Sequence, residues 1–280
     1  MRRLAPEFGT SACCRVLMVP RSTANYRSVK APRADLDPLK ATIRTVLTTF
    51  RGYGVHRMFV HLRGLGLAVP RRSVRQAYLE MGLLKKTRSR RVRTTDSRHD
   101  DPVHPDLVKG LDIEGPDHVW AADVTYLRVG ARFAYLALVM DIWTRQIMGW
   151  EVGSANDTCL TLSALREGLR SGRRPRIHHS DQGSNYASKL YVLEATGEGA
   201  AMSMTATGRP QDNGYAERLN RTVKEEEVLH SDYRDLQEAR EGIGAYVRRY
   251  NDHRIHSSLG YRKPSEVFAA WVRQNQGATP

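Results

Sequence analysis

The chain has 280 residues, a net charge of +14, 40% hydrophobic residues and three cysteines. That length suits one large domain or a core with smaller modules. Its longest apolar run, Phe133–Met140, is far too short to span a bilayer, and Cys13, Cys14 and Cys159 lack metal-ligand spacing, which argues against a membrane protein, a disulfide scaffold or a zinc module.

No apolar core follows Met1-Arg-Arg-Leu, so no secretory signal is expected and a cytoplasmic setting fits. The positive charge is one-sided. Residues 1–110 hold 23 Lys+Arg against 8 Asp+Glu, whereas residues 111–280 hold 21 against 22. One part is thus expected to grip a polyanion while another does chemistry, although a merely soluble basic protein would show the same total.

In chain order, residues 1–34 form a basic segment. Within it, Ala12–Tyr26 reads as a helix end, a turn at Val19-Pro20 and a short helix capped by Ser22, like the last part of a helix-turn-helix. A helical DNA-binding domain is expected over residues 35–85. Asp37–Phe50 places Leu39, Ile43, Val46, Leu47 and Phe50 on one face; Tyr53–Arg63 stripes Val55, Phe59 and Leu62 beside His56 and Arg57. Ser73–Gly82 turns Val74, Ala77, Tyr78 and Met81 inward and leaves Arg71, Arg72 and Arg75 outward. Three short helices with basic outer faces fit a small DNA-binding fold in which Arg57, Arg71, Arg72 and Arg75 are candidate DNA contacts; any three-helix bundle with solvated charges fits the same pattern. Residues 86–114 read as a basic linker, with Lys85–Arg98 almost devoid of hydrophobic residues.

A catalytic core is expected over residues 115–272, ahead of a tail at 273–280. Trp120–Val129, Phe133–Asp141 and Gln146–Val152 read as a three-stranded meander with connections at Gly130 and Thr144. A helix over Thr158–Gly172, a strand at Ile177–Ser180, a helix over Ser184–Ala195 and a strand at Ala201–Met204 follow, then helices over Asn213–Val228 and Leu236–Asp252. This is the order of a mixed α/β, ribonuclease-H-like sheet, though strand-to-helix order alone distinguishes it weakly from other α/β folds.

Three carboxylates stand out in this half. Asp123 lies in the first strand, Asp181 directly follows the strand Ile177–Ser180, and Glu217 sits in the first turn of a helix. Oxygen ligands of this kind suit two Mg²⁺ or Mn²⁺ ions, about 4 Å apart, that activate an attacking oxygen and stabilise a leaving one. At about 100° per residue, Asn213, Glu217, Asn220, Arg221 and Lys224 share one side of the last helix but one, and Tyr215, Leu219, Thr222 and Val223 the other. Arg221 and Lys224 can then hold a DNA backbone beside the metals. An ordinary amphipathic helix with a Glu217–Arg221 surface pair explains the same angles. His178 and His179 are expected to pack or orient rather than ligate metal, Asp141 to make buried hydrogen bonds, and Trp120, Trp143 and Trp150 to be core. Arg248, Arg249, His253, Arg254 and His256 either extend a DNA track or solvate the last helix.

HSDQGSNYAS, DNGYAERLNRTVKEE and YNDHRIHSSLGYRKPSE resemble the catalytic core of insertion-sequence transposases made from two reading frames, which share the integrase fold. Tyr53–Leu83 resembles the helix-turn-helix insert ahead of that core. The likeness runs over roughly residues 16–268. It implies a DDE triad at Asp123, Asp181 and Glu217, with Lys224, seven beyond the glutamate, contacting the DNA end. It further implies metal-dependent cleavage at the element's ends and joining of the 3′-hydroxyl to another strand, by homo-oligomers on paired DNA ends. The chain looks like the downstream-frame (OrfB-like) product, whose upstream-frame (OrfA-like) partner supplies a helix-turn-helix and a leucine zipper. Met1–Ser11 falls outside the likeness, which suggests an altered start.

Overall fold

The computed structural model describes residues 5–25, 35–84, 103–205 and 213–276. The basic stretch Lys85–Arg98 lies outside the described residues, as does the second half of the expected tail, residues 277–280. No helix among the described residues is long and apolar enough to cross a membrane.

Met1–Pro38 is a small unit in its own right. It holds helices α1 (Ala5–Phe8), α2 (Thr10–Val16) and α3 (Arg21–Asn25), with Cys13 and Cys14 buried as free thiols. The turn expected at Val19-Pro20 falls at Leu17 and Met18, directly before that pair. The helix after it begins at Arg21 rather than at a Ser22 cap, because the Pro20 carbonyl accepts from the Thr23 and Ala24 N–H groups at 3.0 and 3.1 Å.

Leu39–Pro280 is the second compact unit, and a five-stranded sheet forms its centre. Strands β1 (Val119–Val129), β2 (Arg132–Asp141) and β3 (Ile147–Gly153) are the expected antiparallel meander, pairing Trp120 with Asp141 and Tyr135 with Gly153. Strands β4 (Ile177–Ser180) and β5 (Ala201–Met204) add in parallel on the other side of β1, giving the order β3-β2-β1-β4-β5. β4 covers β1 only at Val119–Ala121, so Asp123 lies just past the last β1–β4 pair.

Alternation along β1 sets the two layers, since successive side chains point to opposite faces. Val119, Ala121, Leu127 and Val129 pack under α10 (Gly214–Glu226) and α11 (Leu236–Asp252). Trp120 and Ala122 pack on the opposite face against α7 (Thr158–Leu169), α8 (Ser184–Ala187) and α9 (Lys189–Gly197). The single helix expected over Ser184–Ala195 is thus two. Ser188 takes ψ 142°, which breaks the first helix, and its side chain caps the second by accepting from Tyr191 N–H. A further helix, α12 (Pro264–Gln276), had no counterpart in the periodicity. Close contact holds α7 on β3: a Cβ at Gly149 would stand 1.9 Å from the Ala164 carbonyl oxygen and 2.6 Å from Gly168 N.

Helices α4 (Asp37–Thr49), α5 (Val55–Gly64) and α6 (Arg71–Glu80) build a second core around Ile43, Val46, Met58, Leu62, Val74, Ala77 and Tyr78. The expected helix at Ser73 starts two residues earlier, directly after Pro70, whose φ of −65° is already helical. Ile255, from the loop after α11, completes this core. Its N–H donates to the Tyr53 hydroxyl at 3.0 Å, and Tyr78 in turn donates to the Tyr53 carbonyl at 2.7 Å.

The joint between the two cores is ionic and buried. Arg254, only 5% exposed, donates through Nε and Nη2 to both Glu226 oxygens at 2.7 Å. Tyr246 Oη donates to the same carboxylate at 3.3 Å and Arg57 Nη1 at 3.4 Å, while the Gly52 backbone lies so near that a Cβ there would stand 2.2 Å from Glu226 Cγ. The two readings offered for Arg254 and His256, a DNA track or a solvated helix end, are both corrected here. Both side chains are buried, with the Arg254 Nη1 against the His256 ring at 3.0 Å. Arg254 needs a buried counter-charge, and Glu226 supplies it.

Two stability outcomes follow from these contacts. Gly149→Ala should cost about 3 kcal/mol, because its methyl meets backbone that cannot turn aside. Glu226→Ala should cost about 3–5 kcal/mol, because it strands a buried guanidinium. Urea unfolding of each variant beside the wild type measures both; a loss under about 0.5 kcal/mol, the usual range for surface substitutions, contradicts either assignment.

Candidate active site

The middle of β1, the end of β4 and the first half of α10 enclose an acidic site. Helix α10 is tied to β1 by two side-chain amides. Asn213, at its N-cap, donates to the Ala122 carbonyl at 3.0 Å, and Asn220 donates to Asp123 Oδ2 at 2.7 Å. Glu217 lies between them on the same stripe and so faces β1 at the level of Asp123. Asp123 Oδ1 accepts from the Val124 N–H at 2.8 Å, and Asp181 Oδ1 accepts from the Gly183 N–H at 3.0 Å. Gly183 keeps that turn tight, since a Cβ there would touch Asp181 Oδ1 at 3.0 Å.

The three carboxylates sense one another. Burial, then the charge of Asp181 and, less strongly, that of Glu217 push the Asp123 carboxyl up to about 7, against the opposing pull of the Val124 and Asn220 hydrogen bonds. Among the described residues, no group of three or more His, Cys, Asp and Glu side chains closes into a metal-binding cluster. The donor set nevertheless fits a hydrated divalent cation. It is all oxygen, it carries an excess of negative charge that holds a proton on Asp123, and Asn220 Oδ1 and Asn213 Oδ1 are buried acceptors without a donor among the described residues. Asp123 and Asp181 are the residues placed to hold such an ion, with Glu217 facing them from the helix.

The remaining residues sort by where they point. Lys224 is half-buried, with Nζ 3.9 Å from the Tyr126 ring centroid. Burial lowers its pKa, and the charge of Asp123 acts the other way. Arg221, Arg71, Arg72 and Arg75 are exposed, the last three on the outer face of α6. Arg57 does not join them: it is turned inward to Glu226 and lies over the Tyr53 ring at 5.2 Å. His178 packs with Nε2 2.5 Å from Tyr191 Oη, and burial, then His179, pull it down to about 3. His179 Nδ1 meets Ser203 Oγ at 2.9 Å. Asp141 is fully buried and accepts from Thr144 Oγ1, Trp143 N–H and Arg173 Nη2 at 2.6, 3.1 and 3.1 Å.

Two residues of the site escaped the sequence reading. Asn220 was placed on the polar stripe of its helix but not joined to Asp123. Tyr186 was passed over: its buried hydroxyl has no hydrogen-bond partner among the described residues, and the charges of Asp123 and Asp181, after burial and Tyr191, keep it protonated. Its position five residues beyond Asp181 in DQGSNY was the available signal.

The raised Asp123 carboxyl sets a pH dependence with a definite sign. Between about pH 4 and 7 the folded chain keeps a proton that the unfolded chain has lost, so this group's contribution makes the metal-free protein less stable as pH rises through that window. Mg²⁺ or Mn²⁺ should restore stability most strongly near and above pH 7, where no proton has to be displaced, and Asp123→Asn should flatten both effects. Thermal unfolding across pH, with and without the ion, is the measurement; equal pH dependence in wild type and Asp123→Asn contradicts the assignment.

Comparison with known proteins places these features in a family. Two models described as integrase core domain match residues 114–210 and 198–264, which together run through the sheet and the carboxylate-bearing helix. The transposase for insertion sequence element IS629 of Shigella sonnei is 31% identical, covering 96% of this chain and 94% of that one. A 31 kDa protein of insertion element IS600 from the same organism is 33% identical over 90% of this chain and 96% of its own. Transposase InsF for insertion sequence IS3A of Escherichia coli K12 is 29% identical over 93% and 94%. Among solved structures, the HTLV-2 integrase catalytic core in complex with magnesium is 17% identical and covers 55% of this chain and 97% of its own, at a TM-score of 0.42. The chain belongs to the insertion-sequence transposases that carry an integrase core domain.

Proposed function

We propose that this chain cuts DNA at the ends of an insertion sequence and joins the freed 3′-hydroxyl to another strand, in a divalent-metal-dependent phosphoryl transfer. The observation that carries the reading is the convergence on Asp123, where a strand, the turn after a neighbouring strand and a facing helix bring three acidic groups into one electrostatic field. Asp123, Asp181 and Glu217 would hold a pair of Mg²⁺ or Mn²⁺ ions, which when bound would activate the attacking oxygen and neutralise the leaving one.

The chain's own residues do the rest. Asp123 and Asp181 would hold the ions, and Glu217 would close the set from α10. Asn220 orients the Asp123 carboxylate through its amide, and Asn213 keeps the N-terminal turn of α10 against β1. Lys224 and Arg221 hold the phosphates of the element's end beside the carboxylates, and Arg71, Arg72 and Arg75 contact phosphates from α6. The sequence-based assignment of Arg57 as a phosphate contact is replaced by a role at the Glu226 joint. Paired ends call for a homo-oligomer on DNA, and an upstream-frame protein is the natural source of further end recognition.

The test is a strand-transfer assay with a labelled element end, Mg²⁺ or Mn²⁺, and the upstream-frame protein added in a parallel arm. Wild type should yield joined products and Glu217→Gln none. Asn220→Ala should lose about 10–100-fold in activity, as partners of metal-holding carboxylates do. Shortened strands without joined products, in either arm, point instead to a hydrolytic nuclease that accepts only water.

A further inference from the structure

A cleft of about 460 Å³ opens beside the acidic site, between α10, the β2–β3 turn and the loop after α11. Arg57, Arg145, Arg218 and Arg254 line it, together with Ser257 and Ser258, and none of its lining residues is acidic. Glu226 neutralises only one of these four cations with full bidentate bonds, that of Arg254. Arg57 shares that carboxylate through a longer contact of 3.4 Å, and Arg145 and Arg218 bond no carboxylate among the described residues. Arg57 is held below the usual guanidinium range by burial first and then by Arg254, with Arg218 adding to the same effect. His256, at the wall, is pushed down to about 2 by burial and by Arg254, Arg57 and Arg145. Nε of Arg57 and Nε of Arg145 are buried without an acceptor among the described residues. Arg145 and Arg218, with Ser257 and Ser258 beside them and no carboxylate bonded to either among the described residues, are the cations of this cleft that suit an oxyanion.

Arg145 adds an independent observation. It stands at φ +64°, a left-handed conformation that a glycine or asparagine adopts more readily. Its guanidinium stacks 4.3 Å from the Tyr215 ring centroid, which aims it along α10. A turn that only had to reverse the chain would gain from Gly or Asn at this position. The strained position keeps an arginine, so the side chain is what it is for.

We infer that this cleft binds a phosphodiester of the DNA strand, a second phosphate-holding site separate from Lys224 and Arg221. Arg218 and Tyr215 flank Glu217 in the sequence of α10 and face the cleft about a quarter to half a turn away from it. A strand running across the first turns of α10 thus meets the carboxylates on one side and the arginine cleft on the other. The inference rests on the DNA-processing function proposed above, and gives it a specific contact that the three carboxylates do not supply.

The test uses the full chain and a labelled duplex carrying the element's end, with binding measured across a salt series for wild type, Arg145→Asn, Arg218→Ala and the double variant. Arg145→Asn should melt no lower than wild type, since asparagine accepts the left-handed backbone, which separates a lost contact from a lost fold. Each single variant should weaken binding about 3–10-fold and lower the slope of log affinity against log salt by about one. Unchanged affinity and slope in the double variant, with wild type binding normally, overturns the cleft site and leaves the transposase reading standing. Glu217→Gln, which should bind as wild type and fail to join ends, reports on that reading separately. Inorganic phosphate added to the protein without DNA distinguishes the sources: protection of wild type but not the double variant against thermal unfolding, with duplex affinity unaffected by the substitutions, would assign the cleft to a free anion and overturn the DNA contact. A wild type that binds no DNA overturns both readings.

Discussion

The amide of Asn220 on the carboxylate of Asp123 is the contact on which the chemistry depends. Carboxylates at one site repel, and a strand and a helix nearly a hundred residues apart have no covalent reason to keep theirs together. A neutral donor resolves this. It satisfies one oxygen of Asp123 without cancelling the charge that a cation needs, and it fixes the helix to the strand at the height where Glu217 emerges. Asn213 repeats the device one turn before Glu217, on backbone instead of side chain. The acidic site is therefore held together by amides, while burial and its own crowding favour a proton on Asp123 until a cation takes its place.

The same helix serves three surroundings by rotation about its axis. Its apolar side, with Ala216, Leu219 and Val223, is buried on the sheet. Its polar stripe faces β1 and the aspartates, and Lys224 reaches Tyr126. Its last turn ends in Glu226, buried among Arg254, Tyr246 and Arg57. A thirteen-residue helix thus bears Glu217, the cations Arg221 and Lys224 and the joint to helices α4–α6. Family membership fits this economy, because the matched integrase core domains end just beyond the residues that complete the joint.

Much of this was readable in the chain, and for physical reasons. Period-two alternation in Trp120–Val129 and the apolar run of Phe133–Asp141 leave few options besides a meander, and Asp181 just after Ile177–Ser180 marks the carboxyl end of a buried parallel strand. The quoted motifs contain Asp181 and Glu217, and the resemblance they carry implied Asp123 as the third carboxylate. What stayed hidden depends on long-range partners or on single dihedrals. Glu225–Glu227 looks like a solvated acidic run, and only the fold reveals that its middle member meets Arg254. Arg57 and Arg254 look like surface cations until burial and a counter-charge are both in view. Ser188 breaks a helix by one ψ angle, and Arg145 holds a positive φ that no composition rule marks. The basic stretch Lys85–Arg98 keeps its reading as a linker solely on composition.

Gly52 carries a consequence of its own. The backbone there touches the Glu226 side chain with no room for even a methyl group between them. Two cores that meet through long side chains can slide, because such side chains change rotamer at little cost. These two meet through main chain on one side and a clamped carboxylate on the other, so the boundary has no slack to absorb displacement. The Glu226 joint then ties the segment leading into α5 directly to the last turn of α10. In the proposed reading, torque from a duplex gripped at α6 is delivered to the far end of the helix that bears Glu217, so a misaligned DNA end is felt where the strand is to be cut.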